Sequence, residues 1–136
     1  MGAWGSRSFE NDAALDWAGV VEDHEHLTPV AEALDRVAAA DDEYLEVDEA
    51  SHVIAAAEVL AALLDHPAPD LPASLSDWIA ARRTAGDAAR PDLLNLAQRA
   101  LARVTTNSEL KELWDEAADR QAWYDAVADL QARLQP

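Results

Sequence analysis

Apolar residues recur along the chain at spacings of three and four, and no stretch alternates apolar and polar residues with a period of two. This spacing is typical of helices that bury one face, so the pattern favours an all-α fold. Capping residues that can begin helices, and prolines or glycines that end them, divide the pattern into six or seven helices. Because 136 residues fit one core, we expect a compact single-domain bundle over residues 1–136.

The limits of the helices follow from these capping and stop signals. The third helix is the most apolar, and we expect it to be central, although Glu58 interrupts its apolar run. A carboxylate in such surroundings should pair with an arginine or an indole N–H. In chain order, the expected helices run from Asn11 or Asp12 to about His24, from Thr28 to near Ala40, from the cap Asp48 to before Pro67, from the cap Ser74 to before Gly86, from Pro91 to about Arg103, from a Thr106–Glu109 capping box to a break near Asp119, and from there through Leu134.

The net charge of −17 is concentrated in the first half of the chain. Residues 1–70 hold 17 acidic against 2 basic residues, whereas residues 71–136 hold 10 against 8. Such a negative field repels phosphate backbones, so we expect no binding of nucleic acid and favour a basic protein surface as partner. The same acidity also fits a solvated surface that reflects composition alone.

Acidic residues are densest between the second and third predicted helices. This run lacks the alternating acids and turn glycine of an EF-hand loop, so it does not predict a calcium site. It predicts either a solvated connector or an acidic binding surface, whose candidate residues are Asp41, Asp42, Glu43, Glu46, Asp48 and Glu49.

A second candidate site, for a metal ion, overlaps this acidic surface at Glu49. Glu49 and His52 are one helical turn apart, a spacing that dimetal helical bundles use for their ligands. Glu58 could add a third ligand, although it is six residues from His52 and nothing in the sequence shows that the two share a face. The sequence therefore keeps open, as an alternative, a metal-binding protein or a metal-dependent enzyme centred on Glu49, His52 and Glu58.

Other chemistry is not indicated. The chain has no cysteine, no phosphate-binding glycine loop and no apolar run near the roughly 20 residues of a membrane helix. We therefore expect no cofactor, no catalytic set, no membrane partner and a cytoplasmic location. The oligomeric state is not indicated.

Three motifs resemble a known family. Its pattern of Met1-Gly-x-Trp4-Gly5, Phe9-Glu-Asn-Asp12 and Asp16-Trp17 opens this chain, and the likeness continues through residues 44–59 and 107–114. The chain resembles the DUF4259 family of small bacterial proteins, whose function is uncharacterised, so the resemblance implies no catalytic residues. We expect Trp4 and Phe9 to fold back onto the helices. Our favoured function is a non-enzymatic acidic binding protein, immunity-like or regulatory, that acts on a basic protein partner.

Overall fold

The computed structural model describes residues 5–39 and 44–136 of the chain. In these ranges it contains seven α-helices and no strand, so the all-α prediction is confirmed. None of these helices is both long enough and apolar enough to cross a membrane. The helices are α1 (Asp12–Glu22), α2 (Thr28–Ala39), α3 (Val47–Leu63), α4 (Ala73–Thr84), α5 (Pro91–Thr106), α6 (Glu109–Asp115) and α7 (Arg120–Arg133).

Helix α3 is the centre of the fold, as its apolar sequence predicts. It packs against all six other described helices. It is apolar around nearly its whole circumference, which is characteristic of a helix enclosed by others, and all of its residues from Val53 to Ala62 are buried. The other helices contribute one apolar face each to the same continuous core.

The segment before α1 folds onto the bundle, as expected. Phe9 is only 3% exposed, and its backbone N–H donates to the Asp70 carboxylate at 3.0 Å. Asn11 caps α1 by accepting from the N–H of Ala14 at 2.8 Å. Gly5 lies against the Glu10 carboxylate so closely that a Cβ there would clash with it. Trp4 lies outside the described residues.

The buried acid on α3 has the partner type that we expected. Glu58 is 1% exposed, and its two oxygens accept from the guanidinium of Arg133 at 2.7 and 3.0 Å. The Ser8 hydroxyl donates to the same carboxylate at 2.6 Å. The Glu58 hydrogen bonds raise the pKa of Arg133. The group thereby joins α3, α7 and the N-terminal segment at one point.

Several predicted caps are wrong. Helix α3 begins at Val47, before the expected cap Asp48, and α4 begins at Ala73, before the expected cap Ser74. A capping box from Thr106 to Glu109 does not form, because Thr106 is still part of α5 and its hydroxyl donates to the Ala102 carbonyl at 2.8 Å.

Ser108, not Thr106, caps α6. The Ser108 hydroxyl accepts from the N–H of Lys111 at 3.0 Å. Glu109 is then free to cap a different helix, and its carboxylate accepts from the N–H of Val47 at 2.8 Å. The backbone N–H of Glu109 donates to the Leu45 carbonyl at 2.8 Å. The start of α6 therefore holds the start of α3.

Candidate binding groove between α1, α2 and α3

An open groove of about 480 Å³ lies where α1, α2 and α3 meet. The three helices supply its walls because each turns a mixed polar and apolar face toward it. We call it the acidic groove. Its principal lining residues are Asp16, Trp17 and Val20 on α1, Glu32, Ala33 and Arg36 on α2, and Glu49 and His52 on α3.

One wall of the acidic groove is a stacked pair of rings. The centroids of Trp17 and His52 are 6.4 Å apart, and their planes differ by 25°. Burial lowers the pKa of His52; the negative charge of Asp48 opposes this shift, and the positive charge of Arg36 reinforces it. The lowered pKa favours the neutral imidazole, so His52 does not strengthen the positive charge of the groove.

Carboxylates dominate the charge of the acidic groove. It has three, on Asp16, Glu32 and Glu49, against the single guanidinium of Arg36. Within residues 5–39 and 44–136, no ion pair joins Arg36 to any of the three. These four side chains therefore give the groove an excess of negative charge, three carboxylates against one guanidinium.

Apolar surface lies among these charges. Val20 is 56% exposed, although it is a large aliphatic residue. Ala33 and Pro29 continue this surface along α2. Carboxylates beside accessible aliphatic surface suit a ligand that has both an apolar part and a positive charge, which is the character of lysine and arginine side chains.

The structure unites only part of the predicted acidic surface. Glu49 lines the acidic groove, while Glu46 and Asp48 are exposed at the beginning of α3. Glu46 occupies the position before the first helical residue, and Asp48 lies in the first turn, where its charge suits the helix dipole. The remaining predicted residues, Asp41, Asp42 and Glu43, lie outside the described residues.

The predicted metal ligands do not converge. Glu49 and His52 share the acidic groove, but the carboxylate of Glu58 is bound to Arg133 and Ser8 elsewhere. In the part of the chain that the structure describes, no group of three or more histidine and acidic side chains could hold a metal ion. The reason is geometric, because Glu58 follows Glu49 by nine residues, and at about 3.6 residues per turn this spacing places the two side chains on opposite sides of α3.

The sequence did not reveal the other groove residues. Asp16 and Val20 lie four apart and so share one side of α1, and Glu32 and Arg36 do the same on α2. This spacing is common on exposed helix faces, so it carries no signal by itself. Which faces meet is decided by the packing of α1 and α2 on α3.

The fold and the groove together define an all-α protein with an acidic surface groove. The chain belongs to the family described as Domain of unknown function (DUF4259), whose profile matches residues 2–126. The match covers nearly the whole chain and confirms the resemblance seen in the motifs. Comparisons with curated proteins and with solved structures gave no match.

Proposed function

We propose that this protein is a non-enzymatic binding protein whose acidic groove receives a basic segment of a protein partner. The observation that supports the proposal is the set of three carboxylates, on Asp16, Glu32 and Glu49, placed around accessible apolar surface with one opposing guanidinium. In this proposal the protein acts in the cytoplasm, as an inhibitor or regulator of its partner.

The electrostatics favour a cationic side chain as the group that enters. Two opposite charges 4 Å apart attract by about 4 kcal/mol at the effective dielectric constant of a protein surface, before the cost of desolvation. The aliphatic stem of a lysine or arginine can cover Val20 and Ala33 while its charged end reaches the carboxylates. Nucleic acid does not suit the groove, because its phosphates are negative and the groove carboxylates would repel them.

The net charge of −17 adds a long-range contribution to this recognition. A negative protein attracts a basic partner at distances beyond direct contact and so accelerates association, an effect that salt screens. The groove would then select among basic partners by shape. Recognition would thus have a nonspecific part that depends on total charge and a specific part that depends on the groove.

The test separates these two parts with matched variants. The groove variant carries Asp16→Asn, Glu32→Gln and Glu49→Gln. The control variant carries Asp77→Asn, Glu116→Gln and Asp119→Asn, which remove the same charge at exposed positions outside the groove. Fluorescence anisotropy measures the affinity of each protein for a labelled peptide rich in arginine and lysine.

We expect the groove variant to lose at least about tenfold in affinity and the control variant less than about threefold, because each lost close charge pair is worth more than a distant one. Raising the salt concentration to about 1 M should weaken the wild type strongly. Equal losses in both variants, or an affinity that salt leaves unchanged, would refute the proposal. A third variant that neutralises Asp41, Asp42 and Glu43 measures what the acidic run that precedes α3 in the sequence contributes.

A further inference from the structure

Three polar side chains are buried in the described part of the chain, those of Ser51, Glu58 and Ser108. Glu58 is satisfied by Arg133 and Ser8. The Ser108 hydroxyl donates to the Val104 carbonyl at 2.6 Å and accepts from Lys111 at 3.0 Å. The hydroxyl of Ser51, a residue only 3% exposed, forms no hydrogen bond within residues 5–39 and 44–136, and its oxygen keeps a small accessible area.

Ser51 lines a small cavity beneath the N-terminal segment. The cavity measures about 40 Å³ and lies where residues 5–8 cover α3, α6 and α7. Its apolar walls include Ile54, Trp114 and Trp123. A cavity needs about 10–15 Å³ to admit a water molecule, so this space is large enough for at least one.

We propose that ordered water molecules occupy this cavity and bind the Ser51 hydroxyl. Buried hydroxyl groups almost always have a hydrogen-bond partner, and an internal water supplies one where the protein does not. Each such water needs two to four polar contacts. Besides Ser51, the cavity is lined by Asn11 and by residues 5–8, whose polar groups can supply the others.

The polar lining also excludes a purely apolar occupant. A hydrocarbon in the cavity would leave the Ser51 hydroxyl without a partner, and a cavity of this size is too small for most organic ligands. The N-terminal segment would therefore be held to α6 and α7 partly through water, whereas Ser8 and Phe9 hold it directly to Glu58 and Asp70.

The test compares the two buried serines. A high-resolution crystal structure locates the waters, and magnetic relaxation dispersion of water oxygen counts long-lived internal waters in solution. We expect at least one water within hydrogen-bonding distance of Ser51 Oγ, and a loss of about one long-lived water in Ser51→Ala but none in Ser108→Ala. The Ser108 variant is the matched control because its hydroxyl is satisfied by protein groups.

Two results would overturn the proposal. One is a crystal structure in which the cavity is dry and the Ser51 hydroxyl donates to a backbone carbonyl of its own helix. The other is the same number of long-lived waters in the wild type and in Ser51→Ala.

Discussion

The buried pair of Glu58 and Arg133 should contribute asymmetrically to stability. Arg133→Ala leaves the Glu58 carboxylate, which is 1% exposed, in an apolar helix with only the Ser8 hydroxyl as a described partner. Glu58→Ala leaves Arg133 with the Asp129 carboxylate at 2.7 Å and the His66 carbonyl at 3.0 Å. Its side chain is also 18% exposed and reaches water. The arginine therefore tolerates the loss of its partner better than the glutamate does.

The magnitudes follow from this difference. Breaking a buried ion pair by removing one partner costs about 3–5 kcal/mol in the free energy of unfolding. We expect about 4 kcal/mol for Arg133→Ala and about 2–3 kcal/mol for Glu58→Ala, because the remaining arginine is partly solvated. The double variant leaves no unpaired charge. It should therefore cost about 2–3 kcal/mol less than the sum of the two single variants.

Urea unfolding followed by tryptophan fluorescence measures these free energies, since the chain contains five tryptophans. The control is Arg120→Ala at the first position of the same helix, where the residue is exposed and, within the described residues, the guanidinium forms one hydrogen bond, to the Asp115 carbonyl at 3.3 Å. That variant should change the free energy of unfolding by less than about 0.5 kcal/mol. Additive single variants, or a cost below about 1 kcal/mol for Arg133→Ala, would show that the pair does not behave as a buried one.

Three further predictions concern other parts of the fold. Ser108→Ala should lower the free energy of unfolding by about 1–2 kcal/mol in urea titrations, because it removes the cap of α6 and a bond to Val104; no loss would contradict the cap. Phe9→Ala should lower the free energy of unfolding by about 3–5 kcal/mol and should make the N-terminal segment accessible to protease. Limited proteolysis tests this, and unchanged cleavage would mean that Phe9 does not anchor the segment. Burial lowers the pKa of His52. As the pH falls below about 6.5, the unfolded chain therefore protonates at His52 before the folded chain does, and the free energy of unfolding decreases until the pH reaches the folded-state pKa. Thermal melts of His52→Asn should lack this decrease, and pH profiles identical to those of the wild type would refute the prediction.

The sequence predicts the helices far better than the contacts between them. The apolar spacing of α3 is a local property, so both its existence and its central position could be inferred. Cap positions were less predictable because they depend on tertiary partners. The Glu109 carboxylate, for example, caps α3 across 62 residues of chain instead of its own helix. An arginine partner for Glu58 was foreseeable from its burial, but nothing local identified Arg133.

The residues of the candidate site were likewise only partly predictable from the sequence. Glu49 and His52 share the groove because their spacing places them on one side of a helix. Their neighbours Asp16, Glu32 and Arg36 come from other helices, so no local pattern could identify them. The angle and register at which α1 and α2 pack on α3 determine that set.

The separation of Glu58 and Arg133 along the chain also affects folding during synthesis. The arginine is translated 75 residues after the glutamate, which at 5–20 residues per second corresponds to about 4–15 s. During that interval the carboxylate has no counterion on α7, so it is best solvated by water and opposes complete enclosure of α3. We therefore expect complete burial of Glu58, and with it full enclosure of α3, only after α7 has been synthesised and has docked.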